Sequence, residues 1–384
     1  MAYDNVAEMV SANADRTAVS QKKPQLAHVR ELDGIRGIAV LVVVCHHLIF
    51  SSILDPTLWN RGVQVAWAVT KQGAYGVDLF FVLSGFLITS ILLLDKSKPN
   101  YYWNFYWKRA LRILPLYFIA LILLVAFVPS SWKYVVLSAL FIVNFVQVFH
   151  VVPNGPFWTL AIEEQFYLIW PQFNKRLTVV GLQRLAFAVV LISPVLRLLD
   201  AASGHYNYRL TFFHCDGLAL GAILACQQFR RQTEAGAETS VNKGNGILLW
   251  FTFLALGLIV NPMIWASTEK VFEAGIALQL SGVSLLAYCA IAAAVRYSGA
   301  SAMAVLRSPV LTFCGLISYC LYVCHMYVMK IYDHFEGPLQ ANNMQQLLVR
   351  FLIVFAVSFA VCVIARYAIE LPAMSLRKHV LRKG

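Results

Sequence analysis

The sequence predicts an all-α polytopic membrane protein with about ten transmembrane helices plus one re-entrant or interfacial helix. Three observations carry that prediction. Of 384 residues, 59% are hydrophobic and 13% charged, whereas soluble globules are about a quarter charged, so a water-facing surface of this size cannot be covered. Apolar runs long enough to cross a bilayer core recur along the chain. Lysine and arginine concentrate in alternate connections, as the positive-inside rule requires.

Taken in order, the expected spans are 35–53, 77–95, 111–130, 133–150, 182–199, 210–229, 246–262, 272–295, 309–332 and 347–368. Residues 1–30 form a polar N-terminal tail with Lys22, Lys23, Pro24 and Arg30. They contain no apolar core or cleavage site, so no cleavable signal peptide is expected. The cytoplasmic connections carry Lys96, Lys98, Lys108, Arg109 and Arg112, then Lys175, Arg176 and Arg184, then Arg230, Arg231 and Lys243, then Arg296 and Arg307. The tail at 377–384 adds Arg377, Lys378, Arg382 and Lys383. The alternate connections are poor in cations or hold Asp55, Asp200, Glu269, Glu273, Asp333 and Glu336, which places both termini in the cytoplasm. Segment 158–171 is short, holds Glu163 and Glu164, and is rimmed by Trp158, Tyr167 and Trp170. As a full span it would put Lys175, Arg176 and Arg184 outside. It is therefore read as the re-entrant or interfacial helix, packed against protein or water. The membrane domain is 31–376, and the one hydrophilic linker of any length is 232–245.

The net charge of +12 does not point to nucleic acid, because the cations sit in short segments with no basic face interleaved with aromatics. The eight cysteines all fall in apolar runs, which gives neither a disulfide framework nor a paired zinc motif. Cys320, Cys324 and His325 have ligand chemistry, but buried cysteine ordinarily packs as a small hydrophobe, and no metal is expected. No internal repeat is visible, which argues against an inverted-repeat transporter.

An ionisable group inside a span costs several kcal/mol unless paired or hydrated, so each is a functional candidate. The first span holds Asp33, Arg36, His46 and His47. At about 100° and 1.5 Å per residue, Arg36 and His47 fall within about 20° of one helix face and about 16 Å apart along it. His46 stands roughly a quarter-turn away. That face offers a cation near the cytoplasmic surface and an imidazole deeper in the bilayer. An anchoring arginine and a histidine satisfied by a neighbouring helix have the same geometry. The second span holds Asp78 at its outer edge and Ser84-Gly85 in its middle, where small residues mean close helix packing. Arg109 and Arg112 share a helix face at the cytoplasmic mouth, suited to topogenic charge or to an anionic ligand such as phosphate. Glu163 and Glu164 cannot both face lipid. Asp216, His325 and Glu370 complete the buried set, for which a structural ion pair or helix–helix hydrogen bond is the plainer account.

The motifs ELDGIRGIAVLVVVCHH, GVDLFFVLSGFLIT, YWKRALRILPLYF, FWTLAIEEQFYLIWP, DGLALGAILA, GLISYCLYVCHMYV and IELPAMSL, in this order from about 31 to 376, resemble the acyltransferase-3 family of integral-membrane acyltransferases. These enzymes O-acylate bacterial surface polysaccharides, O-antigens, Nod factors and some macrolides. The resemblance implies roles by position. Arg36 and His47 match the family's Arg-x10-His motif, with His47 the catalytic histidine. Arg109 and Arg112 match its Arg-x-x-Arg motif, associated with the acyl-CoA donor. Glu163, Glu164 and Gln165 match its acidic motif. His214 stands where many relatives carry arginine. No fused extracytoplasmic SGNH-type domain is expected.

The expected function is therefore an O-acyltransferase of the bacterial cytoplasmic (inner) membrane. It moves an acyl group, acetyl first of all, from acyl-CoA to a hydroxyl of a surface glycan or lipid-linked sugar, without a bound cofactor. His47 is the general base, because a sugar hydroxyl is a weak nucleophile until its proton is removed and histidine suits that task near neutrality. Glu163 or Glu164 orients or charge-balances it. Arg36, Arg109, Arg112 and Gln165 bind substrate or donor, and Asp33, Asp78, Asp216 and His325 are secondary candidates. Direct transfer and a His-bound acyl intermediate both fit. The alternative of another class is a proton-coupled transporter using Arg36, His47, Glu163, Asp216 and His325 as a relay. The acceptor, the acyl chain and the oligomeric state stay open.

Overall fold

The computed structural model describes residues 28–152, 155–203, 209–234, 269–337 and 339–381. The expected span 246–262, the linker beyond Glu234, the N-terminal tail through Leu26-Ala27 and the last three residues lie outside the described residues. The described chain is all-helical: α1 Arg30–Leu48, α2 Arg61–Lys71, α3 Gly76–Asp95, α4 Tyr101–Phe127, α5 Trp132–Ala139, α6 Phe157–Arg176, α7 Val179–Ala202, α8 Cys215–Glu234, α9 Glu269–Arg296, α10 Pro309–Leu316, α11 Ser318–Glu336 and α12 Met344–Ala365. A π-turn over Arg366–Glu370 leads to the short α13 Leu371–Ser375 and α14 Arg377–Val380. The π-turn falls just before Pro372, which has no N–H for the helix ladder.

Helix α1 is the centre of the bundle. Its Leu32 and Ile35 pack with α3, α8 and α9, its Val43 with α3 and α6, and its Val40, Val44 and Leu48 with α11 and α12. Glycine permits two of the closest helix approaches. A Cβ at Gly85 of α3 would meet the Leu218 carbonyl of α8, and one at Gly221 of α8 would meet the Val82 carbonyl of α3. Gly37 faces the Leu311 carbonyl and Gly315 the Asp33 carbonyl, which seats α10 against α1. Gly85 thus serves close packing, as its position predicts.

The outer surface is apolar. Ile122, Leu123 and Phe127 on α4, Phe187, Leu191 and Val195 on α7, and Leu348, Leu352 and Ile364 on α12 are all exposed. In water such stripes would aggregate; in a bilayer they are the solvent face. Among the described residues six helices are long and apolar enough to cross a membrane, or seven if α10 and α11, bent by 74°, form one broken span. The chain is thus a multi-pass membrane protein, but the described residues do not give ten such helices.

Several boundaries differ from expectation for physical reasons. The apolar run 133–150 is no single span: α5 stops at Ala139, Phe141 takes a left-handed backbone (φ 55), and a 3-10 turn follows over Val143–Phe145. Here the run marks a folded connection, with Tyr134, Val143 and Val146 buried in the core and Val136, Leu140, Val148 and Phe149 exposed. Helix α4 begins at Tyr101, so Lys108, Arg109 and Arg112 stand on a helix and not in a loop before it. Helix α1 ends at Leu48, which places His47 in its last turn. The segment expected as a short helix at 158–171 is a continuous helix of 20 residues, α6.

Candidate active site

The bundle encloses a cavity whose lining includes Arg36 from α1, Ser84 from α3, Arg109 and Arg112 from α4, Thr159, Glu163 and Tyr167 from α6, and Tyr322 from α11. The same three arginines also line a second cavity, of about 580 Å³, with His28, Asp33, Gln228, Gln232 and Arg366. The guanidinium groups therefore stand where a polar vestibule meets the inner cavity. Helical spacing explains part of this: Arg109 and Arg112 are i, i+3 and share a face.

Glu163 is held tightly. Its Oε1 accepts from Ser84 Oγ at 2.8 Å and its Oε2 from the Tyr167 hydroxyl at 3.0 Å. Ser84 and Tyr167 are themselves 2.8 Å apart. The guanidinium of Arg109 lies 4.7 Å above the Tyr167 ring. Tyr167 stands one turn beyond Glu163, an i, i+4 pair legible in EEQFY, yet neither it nor Ser84 was among the expected site residues. Across the cavity, Thr159 Oγ1 donates to the Tyr322 hydroxyl at 2.8 Å.

The two acids point apart, as neighbours on a helix must. Glu164 lies on the other side of α6, with a buried Oε1 that has no hydrogen-bond partner among the described residues, and lines a mainly apolar cavity of about 890 Å³ that shares Arg109 and Tyr167 with the first. Gln165 is engaged structurally. Its Nε2 donates to Phe141 O at 2.6 Å and to Asn144 Oδ1 at 2.9 Å, and its Oε1 accepts from Thr211. This network holds the left-handed turn at Phe141 in place. Gln165 is absent from the lining of the arginine cavity.

The structure does not bring Glu163 or Glu164 to His47, as the sequence reading expected. The imidazole faces another imidazole instead. His325 Nε2 is 3.2 Å from His47 Nδ1, and His47 Nδ1 is also 2.9 Å from the Val43 carbonyl. His325 is fully buried, and its Nδ1 lies 2.8 Å from the Leu321 carbonyl. His46 turns away to the Thr70 carbonyl and stacks on Phe50, so the quarter-turn between the two histidines separates their surroundings. The end of α1 under His47 is secured by Arg350. Bound by both Nε and Nη2 to Asp333, it donates to Leu48 O and to Ser52 Oγ, and Ser52 Oγ donates to His47 O. His47 does not line the arginine cavity. Tyr322 lines that cavity, and its ring lies 6.0 Å from that of His325.

The secondary candidates divide. Asp33 lines the vestibule and pairs with His28. Asp216 is a structural partner: its Oδ2 accepts from Arg197 Nη2 at 2.7 Å and from Ser281 at 2.8 Å. Asp78 is buried 3.6 Å from His214, and Glu370 pairs with Arg366. The plainer account of Asp216 and Glu370 as members of ion pairs is what the geometry gives. The Sγ atoms of Cys320, Cys324 and Cys362 lie within 4.8 Å of one another, the one such metal-capable group among the described residues. His325 is turned to His47 and Leu321, not to this cluster.

Comparison with known proteins places this architecture. The acyltransferase-domain model of the acyltransferase-3 family matches residues 29–367. The chain is 36% identical over 166 residues to the peptidoglycan O-acetyltransferase OatA of Listeria monocytogenes, which covers 38% of this chain and 24% of that protein. It is 28% identical over 350 residues to a Staphylococcus aureus (strain COL) protein named as an O-acetyltransferase, covering 82% of this chain and 53% of that protein. The chain thus spans about half the length or less of these curated relatives. No solved structure matches it. The match extends over the helices that carry Arg36, His47, Arg109, Arg112, Glu163 and His325, and the chain belongs to the acyltransferase-3 family of membrane acyltransferases.

Proposed function

We propose that the protein is an O-acyltransferase that takes an acyl group, acetyl first of all, from acyl-CoA and transfers it to a hydroxyl of a cell-surface glycan or lipid-linked sugar. One observation carries the donor half. Arg36, Arg109 and Arg112 line one cavity, and none of them makes an ion pair with an acid among the described residues. The carboxylate among them, Glu163, already accepts from Ser84 and Tyr167. Clustered, desolvated guanidinium groups are costly without counter-charge. A ligand with several phosphate oxygens supplies it, through the bidentate bonds that arginine makes best.

The chemistry then follows the chain's own residues. The arginines hold the phosphates of CoA at the neck between vestibule and inner cavity, on the cytoplasmic side. The pantetheine arm extends along α1 toward its last turn, about 16 Å beyond Arg36. Glu163 keeps Ser84 and Tyr167 in place under Arg109. His47 removes the proton from the acceptor hydroxyl, the hydroxyl oxygen attacks the thioester carbonyl, and the C–S bond breaks. The proton returns from His47 to the departing thiolate. Donor and acceptor thus approach from opposite ends of the first helix, the acceptor from the extracytoplasmic side of the inner membrane.

Membership in an acyltransferase family favours this over a proton-coupled transporter, and the geometry agrees. Among the described residues no hydrogen bond joins the His47–His325 pair, the Glu163–Ser84–Tyr167 cluster and the Asp216–Arg197 pair to one another. The test is thiol release from acetyl-CoA by the detergent-purified protein, with mass spectrometry of surface glycans and lipids from cells with and without the gene. Acetyl-CoA turnover without an ion gradient, and an acetylated acceptor lost with the gene, are the expected results. A requirement for an ion gradient contradicts the reading.

A further inference from the structure

We infer that His325 is a positioning residue that fixes the imidazole of His47 as its Nδ1–H tautomer, so that Nε2 is the nitrogen that takes the acceptor's proton. The inference rests on the reading of His47 as general base.

A backbone carbonyl can only accept, so the 2.8 Å contact from His325 Nδ1 to Leu321 O puts the hydrogen of neutral His325 on Nδ1. Its Nε2 is then a lone-pair acceptor, and that atom faces His47 Nδ1 at 3.2 Å. His47 Nδ1 must therefore carry its own hydrogen. The Val43 carbonyl, 2.9 Å from the same atom, demands the same. Two acceptors converge on one N–H, and His47 Nε2 is left with the lone pair and no hydrogen-bond partner among the described residues.

The groups facing the pair are few: His46 edge-on to His47, Tyr322 beside His325, and Cys324 next to His325 in sequence. No carboxylate among the described residues makes a hydrogen bond to either ring. A histidine–carboxylate couple is thus replaced by a neutral acceptor, which orients the base without a buried negative charge in the bilayer. During transfer the acceptor's proton moves to His47 Nε2 while the oxygen–carbon bond forms. His325 Nε2 accepts from the Nδ1–H of the resulting imidazolium. The proton then leaves from Nε2 to the thiolate as the C–S bond breaks, so His325 ends unchanged.

Helix α11 also helps to fix the backbone beneath the ring. Asp333, eight residues after His325, holds Arg350 on Leu48 O and Ser52 Oγ at the end of α1. The ring thus meets α11 directly, and the helix end is held by Arg350 of α12, which Asp333 of α11 orients.

The test compares two amides of nearly equal polarity. His325→Gln places its amide near the Nε2 position and keeps an acceptor for His47. His325→Asn reaches only the Nδ1 position, keeping the Leu321 contact and losing the one to His47. With acetyl-CoA as donor, water as acceptor and thiol release as the readout, His325→Asn lowers kcat about 100-fold, within the range of general-base catalysis. His325→Gln stays within about tenfold of the parent, and KM for acetyl-CoA is unchanged in both. Equal kcat in the two variants, whether both near the parent or both low, overturns the inference, because the acceptor at Nε2 would then make no difference. His47→Ala separates this from the underlying reading. If it retains turnover, the assignment of His47 as base fails; if it is inactive while His325→Asn is fully active, only the role of His325 fails.

Discussion

Arginines inside the bundle occur in two settings in this protein, fully buried or half-buried at a cavity, and the contrast between them locates the site. Arg197 and Arg350 are 5% and 3% exposed, and each is saturated. Arg197 donates to Ala277 O, Phe213 O, Ser281 and Asp216. Arg350 donates to both oxygens of Asp333, to Leu48 O and to Ser52. Among the described residues Arg36, Arg109 and Arg112 form no ion pair with an acid, and Arg36 Nε is buried with no hydrogen-bond partner. The first kind closes its hydrogen-bond account within the fold. The second leaves donors aimed into a cavity. A buried charge alone says little; whether the fold satisfies it separates scaffold from site.

The contrast predicts opposite consequences for two similar substitutions, and this is the largest expected effect. Arg197→Leu leaves Asp216 buried without its cation and destabilises the protein by about 3–5 kcal/mol. Arg36→Leu removes an unmatched charge and leaves thermal stability in detergent unchanged or raised, while donor binding is lost. Equal destabilisation in both would erase the distinction.

The next effect separates the paired acids. Glu163→Gln weakens the hold on Ser84 and Tyr167 and lowers acetyl-CoA turnover about 10- to 100-fold, whereas Glu164→Gln, on the other side of α6, is mild. Each charge-assisted hydrogen bond at Glu163 contributes about 1.5–3 kcal/mol. Turnover per monodisperse protein is the measurement, and similar loss in both variants would contradict the division. Smaller still is Ser84→Ala, expected to cost only a few-fold in turnover, because Tyr167 still donates to Glu163. A loss as deep as that of Glu163→Gln would show Ser84 to be more than a support.

Much of this was legible in the sequence. The fold class, the membrane setting and the shared face of Arg109 and Arg112 follow from composition and helical spacing. So does the separation of His46 from His47. The partner of His47 was not legible. Glu163 is in the same sequence class of buried ionisable residue as His325, and only tertiary packing decides which one meets the imidazole across 278 positions of chain. The run 133–150 misled because hydrophobicity cannot distinguish a continuous span from a broken, partly buried connection, and the left-handed turn at Phe141 carries no glycine to announce it. Gln165 misled in a different way: it adjoins the two acids in sequence but is spent on Phe141, Asn144 and Thr211. Ser84 was read as packing because Gly85 beside it does serve packing; its hydroxyl projects to a different helix.

The central claim is that Arg36, Arg109 and Arg112 lack a carboxylate partner among the described residues because a polyphosphate donor is their partner. Equilibrium binding of CoA to the detergent-purified protein tests it most directly, comparing the parent with the Arg109→Gln/Arg112→Gln double variant. Loss of two charge-assisted contacts of about 1.5–3 kcal/mol each predicts an affinity at least about 100-fold weaker, with an unfolding temperature in the absence of CoA that is not lowered. CoA should also raise the unfolding temperature of the parent and not that of the variant, since a ligand stabilises only the state that binds it. An unchanged affinity in the double variant would make these arginines topogenic charges and contradict the account.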